Sequence, residues 1–455
     1  MNRDTIDFEN GKIPQLFRKL FIPTLFGALS IVAVTAIDGI FVGHGVGSDG
    51  VAAVNIVVPI YQIMSGIGLM IGVGCSVVSS IHISQSNIKA ARINITQALA
   101  ITSLLAAALC VAVLLFPTAT ARILGASDTL TNKVVDYLIW IMPSFIFQMW
   151  SMIGLFVLRL DGAPHYAMWC NIIPATLNAI LDWIFIFPLA MGVKGASIAT
   201  SISIIFGGIM VITHILFFSK SLRPIALKTS VKSMRLSIRN IGYQCKIGSS
   251  TMLAELSIAV FVYIGNLVFM SYLGDDGVGA FGIACYYTPF FFMIGNAIAQ
   301  SAQPIISYNY GISRWAHVRM ARTLLLKVSI AFGVAVTMLF LFLPTPLVGL
   351  FVDTKSNAAD IAIAGLPYFS IGVLFYIINI AVTGYYQSIK NIRMATIYVF
   401  LRGAVFLIPA FVLLPPMLGA KGIWLAMPLS EILSLGTIAI LWYYNKKQTI
   451  YNKPI

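Results

Sequence analysis

Long runs of apolar residues recur along the whole chain, separated by short polar punctuation. A helix needs about 20 mostly apolar residues to cross the hydrocarbon core of a bilayer, and twelve runs reach that length. They cover 16–43, 52–79, 93–116, 130–158, 165–188, 192–218, 240–272, 279–306, 320–343, 359–388, 394–415 and 421–444. The stretch before Leu16 is polar and acidic (Asp4, Asp7, Glu9), and the first apolar run is too long for a signal-peptide core. The N-terminus is therefore expected to stay on the chain. One long polar connection, from Ser219 to about Arg239, divides the runs six and six. The pattern predicts a terminal segment (1–15), a first lobe (16–218), a linker (219–239), a second lobe (240–444) and a tail (445–455).

The two halves share motifs in one register. Gly192-Val-Lys-Gly-Ala repeats as Gly419-Ala-Lys-Gly-Ile, so that Gly192 and Gly419, Lys194 and Lys421, and Gly195 and Gly422 are each 227 residues apart. At the same offset Pro117 meets Pro344, Pro188 meets Pro415, and Asp49-Gly-Val meets Asp276-Gly-Val. One offset serving such separated points indicates duplication. An even number of spans per repeat puts both halves in the membrane in the same sense, related by an axis along the membrane normal. The expected fold is an all-α integral membrane protein: twelve transmembrane helices in two pseudo-symmetric six-helix lobes around a central cleft. Lobes of this kind suit alternating access. A channel would more often show a filter ring, and none is visible.

Composition agrees, with 59% hydrophobic and 10% charged residues and a mean hydropathy of +0.92. A net charge of +14 raises nucleic acid as a partner, but the basic residues form no single face. They mark one side of a membrane instead. Among the connections, the odd-numbered ones hold only Arg122, Lys133, Lys194, Lys355 and Lys421. The even-numbered ones and the termini hold Lys12, Arg18, Lys19, Lys89, Arg92, the run from Lys220 to Lys246, Arg314 to Lys327, Lys390, Arg393, Lys446 and Lys447. The positive-inside rule then places both termini in the cytoplasm, in a multi-pass protein of the cell membrane. The five cysteines (Cys75, Cys110, Cys170, Cys245, Cys285) lie mostly in apolar runs and read as packing residues. His44, His82, His165, His214 and His317 sit near span ends without ligand spacing.

An ionisable group at mid-membrane costs about 3 kcal/mol or more, so each is a functional candidate. Five occur: Asp38, Asp182, Glu255, Arg402 and Glu431. Asp182 follows Asn178 by four residues, which puts an amide and a carboxylate on one helix face. Thr200, past a short hairpin, brings a hydroxyl toward the same depth. Two carboxylates, an amide oxygen and a hydroxyl are hard ligands suited to a cation such as sodium, and two desolvated carboxylates also make a proton site. The plainer alternative is that each acid is hydrogen-bonded within its bundle. For Arg402 the plainer reading is a buried ion pair with Glu255 or Glu431, set against a coupling or substrate-contacting role for Glu255.

The segments Ile37-Asp-Gly-Ile-Phe-Val-Gly, Pro59, Leu177-Asn-Ala-Ile-Leu-Asp-Trp and Gly192-Val-Lys-Gly-Ala-Ser-Ile-Ala-Thr resemble the multidrug and toxic compound extrusion (MATE) family, closest to its prokaryotic DinF-like branch. The likeness runs over essentially the whole chain. It implies export of organic, often cationic, drugs in exchange for Na+ or H+, with no other cofactor, by a membrane-embedded monomer that binds no nucleic acid. It assigns the coupling-cation site, and any bound Na+, to Asp38, Asn178, Asp182 and Thr200. The chain departs from the family pattern at three places. Gln148 stands where relatives often have an asparagine in helix 4. Ser249 or Ser250 replaces a proline early in helix 7, and helix 10 has no acid after Asp360 to partner Glu255. The second half also lacks the first half's site, since Asp182 meets Pro409 and Asn178 meets Val405.

Aromatic and sulfur surfaces suit flat organic cations, and Tyr61, Gln62, Met64, Tyr286 and Tyr287 offer such a surface; packing or lipid contact is the plainer role for most of them. Two other transporters share the six-plus-six layout. A major-facilitator protein is disfavoured by the loop Ser84-Gln-Ser-Asn-Ile-Lys-Ala-Ala-Arg, which lacks that group's acidic and arginine-rich signature. A lipid-linked oligosaccharide or lipid flippase would want a more cationic cavity than Arg402 alone provides. An integral membrane enzyme would need clustered catalytic groups at one interface, and the sequence offers none.

Overall fold

The computed structural model describes residues 7–9, 11–46, 48–219, 221–228, 230–352 and 354–451. Asp4, Lys220 and the last four residues of the expected tail lie outside this set. Twelve helices among the described residues are long and apolar enough to cross a membrane. They are α1 (Ile13–Val46), α2 (Ala53–Ser84), α3 (Ile88–Leu115), α4 (Thr131–Leu160), α5 (Pro164–Ile186), α6 (Gly192–Phe218), α7 (Val231–Gly274), α8 (Asp276–Gly311), α9 (Trp315–Phe342), α10 (Asn357–Ser388), α11 (Ile392–Leu418) and α12 (Ala420–Leu441). The protein is thus a multi-pass α-helical membrane protein.

The helices outrun the apolar runs that predict them, chiefly on the side carrying the basic residues. α2 ends at Ser84 and α3 begins at Ile88, while α7 starts at Val231, inside the expected 219–239 connection. Hydropathy counts only the residues facing hydrocarbon, whereas a helix continues until something satisfies its free backbone groups. Side-chain caps do this here. Asn87 accepts from the Ala90 N–H at the start of α3, Ser230 from Ser233 at α7, Ser356 from Ala359 at α10, and Asn391 from Met394 at α11.

The duplication is visible in local geometry. A short helix with proline in its first turn follows the third span of each half, Pro117–Ile123 and Pro344–Gly349. The hairpins α5–α6 and α11–α12 turn on Gly192 (φ 61) and Gly419 (φ 60), a left-handed conformation that glycine adopts without steric cost. Three residues later Gly195 packs against Phe185 and Met191, where a Cβ would come within 3.0 Å, and a Cβ on Gly422 would run into the Leu414 carbonyl. The lysine between the glycines caps an aromatic ring in both halves. Lys194 Nζ lies 5.3 Å from the Trp140 ring and Lys421 Nζ 5.8 Å from the Tyr368 ring.

By contacts the chain forms two compact units, Met1–Met252 with Gln300–Ala321 and Leu253–Ala299 with Arg322–Ile455. In the first, α1 packs on α5, α5 on α6, α6 on α4, and α4 on α2 and α3. The ends of α7 and α8 also belong to it. Gly74 of α2 and Gly248 of α7 lie against the Gln244 and Met70 carbonyls, leaving no room for a Cβ. Ser76 Oγ donates to Gln303 Oε1 at 2.8 Å. At the N-terminus, Arg314 donates to the Glu9 carbonyl and, at 2.9 Å, to its carboxylate. In the second unit α12 packs on α10 and α11. Buried Cys75, Cys110 and Cys170 and partly buried Cys245 and Cys285 are all unbridged.

Candidate cation site

Four helices of the first unit converge on one polar cluster. α1 brings Asp38, α5 brings Asn178 and Asp182 one turn apart, α6 brings Thr200 and α4 brings Tyr137. Asp182 is fully buried and Asn178 nearly so. The Asp38 and Asp182 carboxyls adjoin within hydrogen-bonding reach of each other. Asp38 Oδ1 and both Asp182 oxygens are buried and receive no hydrogen bond. Asn178 Nδ2 donates to Thr200 Oγ1 at 3.4 Å, and the Tyr137 hydroxyl reaches the same threonine. All four residues expected from the sequence therefore come together.

Buried polar atoms are nearly always hydrogen-bonded, so three unserved carboxylate oxygens in one place are unusual. Two carboxylates side by side away from water repel each other. A proton shared between them, or a cation held by them, removes that repulsion. Asn178, Thr200 and Tyr137 supply neutral oxygens around the pair, which suits a hard monovalent cation. Sequence reasoning missed Tyr137: a tyrosine inside an apolar span is ordinary, and its partners lie on other helices, so no spacing marks it.

The expected substrate-facing residues fall in both units, Tyr61, Gln62 and Met64 in the first and Tyr286 and Tyr287 in the second. Tyr61 is 39% exposed and Gln62 is exposed, and Tyr61 lies against Phe145 (centroids 6.0 Å apart) within electrostatic reach of Asp38. Met64, at 3% exposed, is part of the first unit's apolar core. Tyr286 is exposed and stacks on Phe351 at 5.2 Å. Tyr287 donates to the Leu347 carbonyl at 2.9 Å and packs edge-on against Phe340, so its hydroxyl is already committed to the short helix after α9.

In the second unit Arg402 of α11 and Glu431 of α12 form an ion pair, Nε to Oε1 at 3.2 Å, with both side chains 5% exposed. α11 opens into a π-helical turn around the arginine, Leu401–Val405. Asn379 of α10 donates to Glu431 Oε2 and accepts from the Tyr398 hydroxyl. Ser430 Oγ donates to the Arg402 carbonyl at 2.8 Å. The guanidinium lies over the Tyr376 ring, 4.5 Å from its centroid. Of the three residues expected to form a charge network, the structure joins Arg402 to Glu431. Glu255 stands apart, with its charge felt at Tyr376 but no hydrogen bond or ion pair among the described residues.

A twelve-helix membrane protein in two repeats, with a buried acid pair in its first half, belongs to the architecture of secondary transporters. The chain belongs to the MatE family, whose model matches it twice, over residues 23–184 and 251–412. The two matches are spaced like the repeated motifs. Among curated proteins, it is 23% identical over 452 residues to the multidrug export protein MepA of Staphylococcus aureus (strain NCTC 8325 / PS 47), covering 97% of this chain and 96% of the relative. It is 25% identical over 427 residues to MepA of Staphylococcus haemolyticus (strain JCSC1435), covering 93% and 92%. Among solved structures, an outward-facing multidrug resistance MATE family transporter of the MOP superfamily superposes with a TM-score of 0.89 at 20% identity, covering all of both chains. A MATE protein in its straight conformation gives 0.86 at 20% identity and a MOP superfamily transporter of Pyrococcus furiosus 0.84 at 19%, each covering 98% of both chains. These likenesses establish the fold.

Proposed function

We propose that the protein is a secondary active exporter of small organic, cationic molecules, exchanging them for Na+ or H+ by alternating access. The coupling cation binds at Asp38, Asn178, Asp182 and Thr200, with Tyr137 as a further oxygen. The observation that carries this reading is the adjoining pair Asp38–Asp182, whose buried oxygens lack donors. A cation biases the transporter only through different affinities for its two states, and a site built from α1, α4, α5 and α6 changes whenever those helices shift. The export names of the MepA relatives support the transported class. The charge bias supports a cell-membrane protein with both termini cytoplasmic, and we read it as acting as a monomer. A transporter is favoured over an enzyme because the Asp38–Asp182 cluster lies between helices long and apolar enough to cross a membrane. Arg402, which a flippase reading would enlist as unbalanced positive charge, has its charge balanced by Glu431.

Asp38→Asn and Asp182→Asn are expected to abolish gradient-coupled efflux from cells while protein level in the membrane stays normal. Efflux at the wild-type rate in both variants contradicts the proposal.

A further inference from the structure

The second unit contains a partly open recess of about 30 Å³, room for one or two water-sized groups. Ile258, Phe261, Leu407 and Met427 make its apolar walls, and Arg402 and Tyr376 its polar end. Arg402 Nη1 and the Tyr376 hydroxyl are buried and make no well-formed hydrogen bond, although the two side chains lie within reach of each other, and both residues are 5% exposed. The surrounding polar groups are served. Glu431 receives Arg402 Nε and Asn379, Ser257 donates to the Leu253 carbonyl, and Thr288 to the Ala284 carbonyl. Two donors without a well-formed bond, one of them charged, thus border a space whose one carboxylate, Glu431, is already engaged by Arg402 Nε and Asn379. Native proteins seldom leave such donors unpaired.

A carboxylate fits this space. It offers two oxygens in one plane, and a guanidinium edge binds that geometry better than any other side chain does. A bare anion fits poorly on charge grounds. Glu431 already balances Arg402, and Glu255, one turn before Ile258, adds negative charge felt at Tyr376, so an anion alone would leave buried negative charge uncompensated. A zwitterion brings its own cation, which offsets that negative charge. We propose that this recess is a subsite for the carboxylate of an exported zwitterion, held by the free edge of Arg402 and the Tyr376 hydroxyl. The inference rests on the exporter reading above.

The test compares two xanthene dyes that differ only in this group: rhodamine 110, with a free carboxylate, and rhodamine 123, its methyl ester. Affinities are read by fluorescence anisotropy on the purified full-length protein. Wild type is expected to prefer the acid over the ester by about tenfold, the worth of a hydrogen bond to a charged group. Tyr376→Phe should cut that preference by about fivefold, and Arg402→Lys, which keeps the charge but loses the fork, should erase it. Equal wild-type affinities, as for a recess holding only water, overturn the proposal, as does an acid preference unchanged by Tyr376→Phe. Displacement of the acid dye by acetate at the same concentration at which the dye binds means that a free anion takes the site, and overturns the zwitterion assignment. Gradient-driven uptake of the ester dye into proteoliposomes is measured on the same preparation. If that uptake is absent, the exporter reading falls and the proposal with it. Uptake together with equal acid and ester affinities removes the subsite alone.

Discussion

At the residue scale, the two units handle buried charge in opposite ways. The first leaves two carboxyls together without donors, and the second closes an arginine and a glutamate into a pair braced by Asn379 and Tyr398. Removing one partner of a buried pair leaves the other uncompensated, so Arg402→Ala should cost about 3–5 kcal/mol of stability. Adding Glu431→Gln should restore part of it and adding Glu255→Gln should not, because only Glu431 touches the arginine; thermal unfolding midpoints of the three variants check this. In the first unit, Tyr137→Phe should weaken cation binding about three- to tenfold, read from the Na+ or pH dependence of efflux. The ionisable members of both clusters were legible in the sequence because a charge in an apolar run is costly wherever it lies. Of their neutral partners, Asn178 and Thr200 were marked by their spacing from Asp182 and by the resemblance, but Tyr137, Asn379 and Tyr398 are unremarked inside helices, and only the packing of α4, α10 and α11 aims them. The choice between Glu255 and Glu431 was likewise a matter of which helix faces α11, and no spacing carries that.

At the element scale, the repeated Gly-x-Lys-Gly hairpin shows why one short motif survives in both halves. Its first glycine takes a positive φ, its lysine covers a ring, and its second glycine lets the following helix touch the end of the preceding one. Gly419→Ala should therefore lower stability by about 1–2 kcal/mol, the cost of a left-handed L-residue. Gly436→Ala, inside α12 and facing open space, should be neutral or mildly stabilising. Unfolding midpoints in one detergent compare the two directly. The number and order of the helices followed from the apolar runs. Their ends did not, because caps such as Asn87 and Ser230 extend α3 and α7 beyond hydrocarbon depth, where hydropathy carries no signal.

At the scale of the whole molecule, the fold repeats and the chemistry does not. The proposed division of labour gives the coupling ion to the first half and, through Arg402 and Tyr376, a substrate contact to the second. Orientation follows from the basic residues: Ser313→Cys, on an exposed turn between α8 and α9, should resist a membrane-impermeant maleimide in intact cells, while Ser127→Cys, exposed between α3 and α4, should react. The reverse pattern inverts the topology. The central claim is that a cation at Asp38 and Asp182 drives export, and its most direct test is substrate flux in proteoliposomes with Na+ and pH gradients imposed separately. Uphill flux in wild type under at least one gradient, lost in both Asp38→Asn and Asp182→Asn, is the predicted result. Wild-type flux indifferent to both gradients, or uphill flux undiminished in both variants, contradicts it.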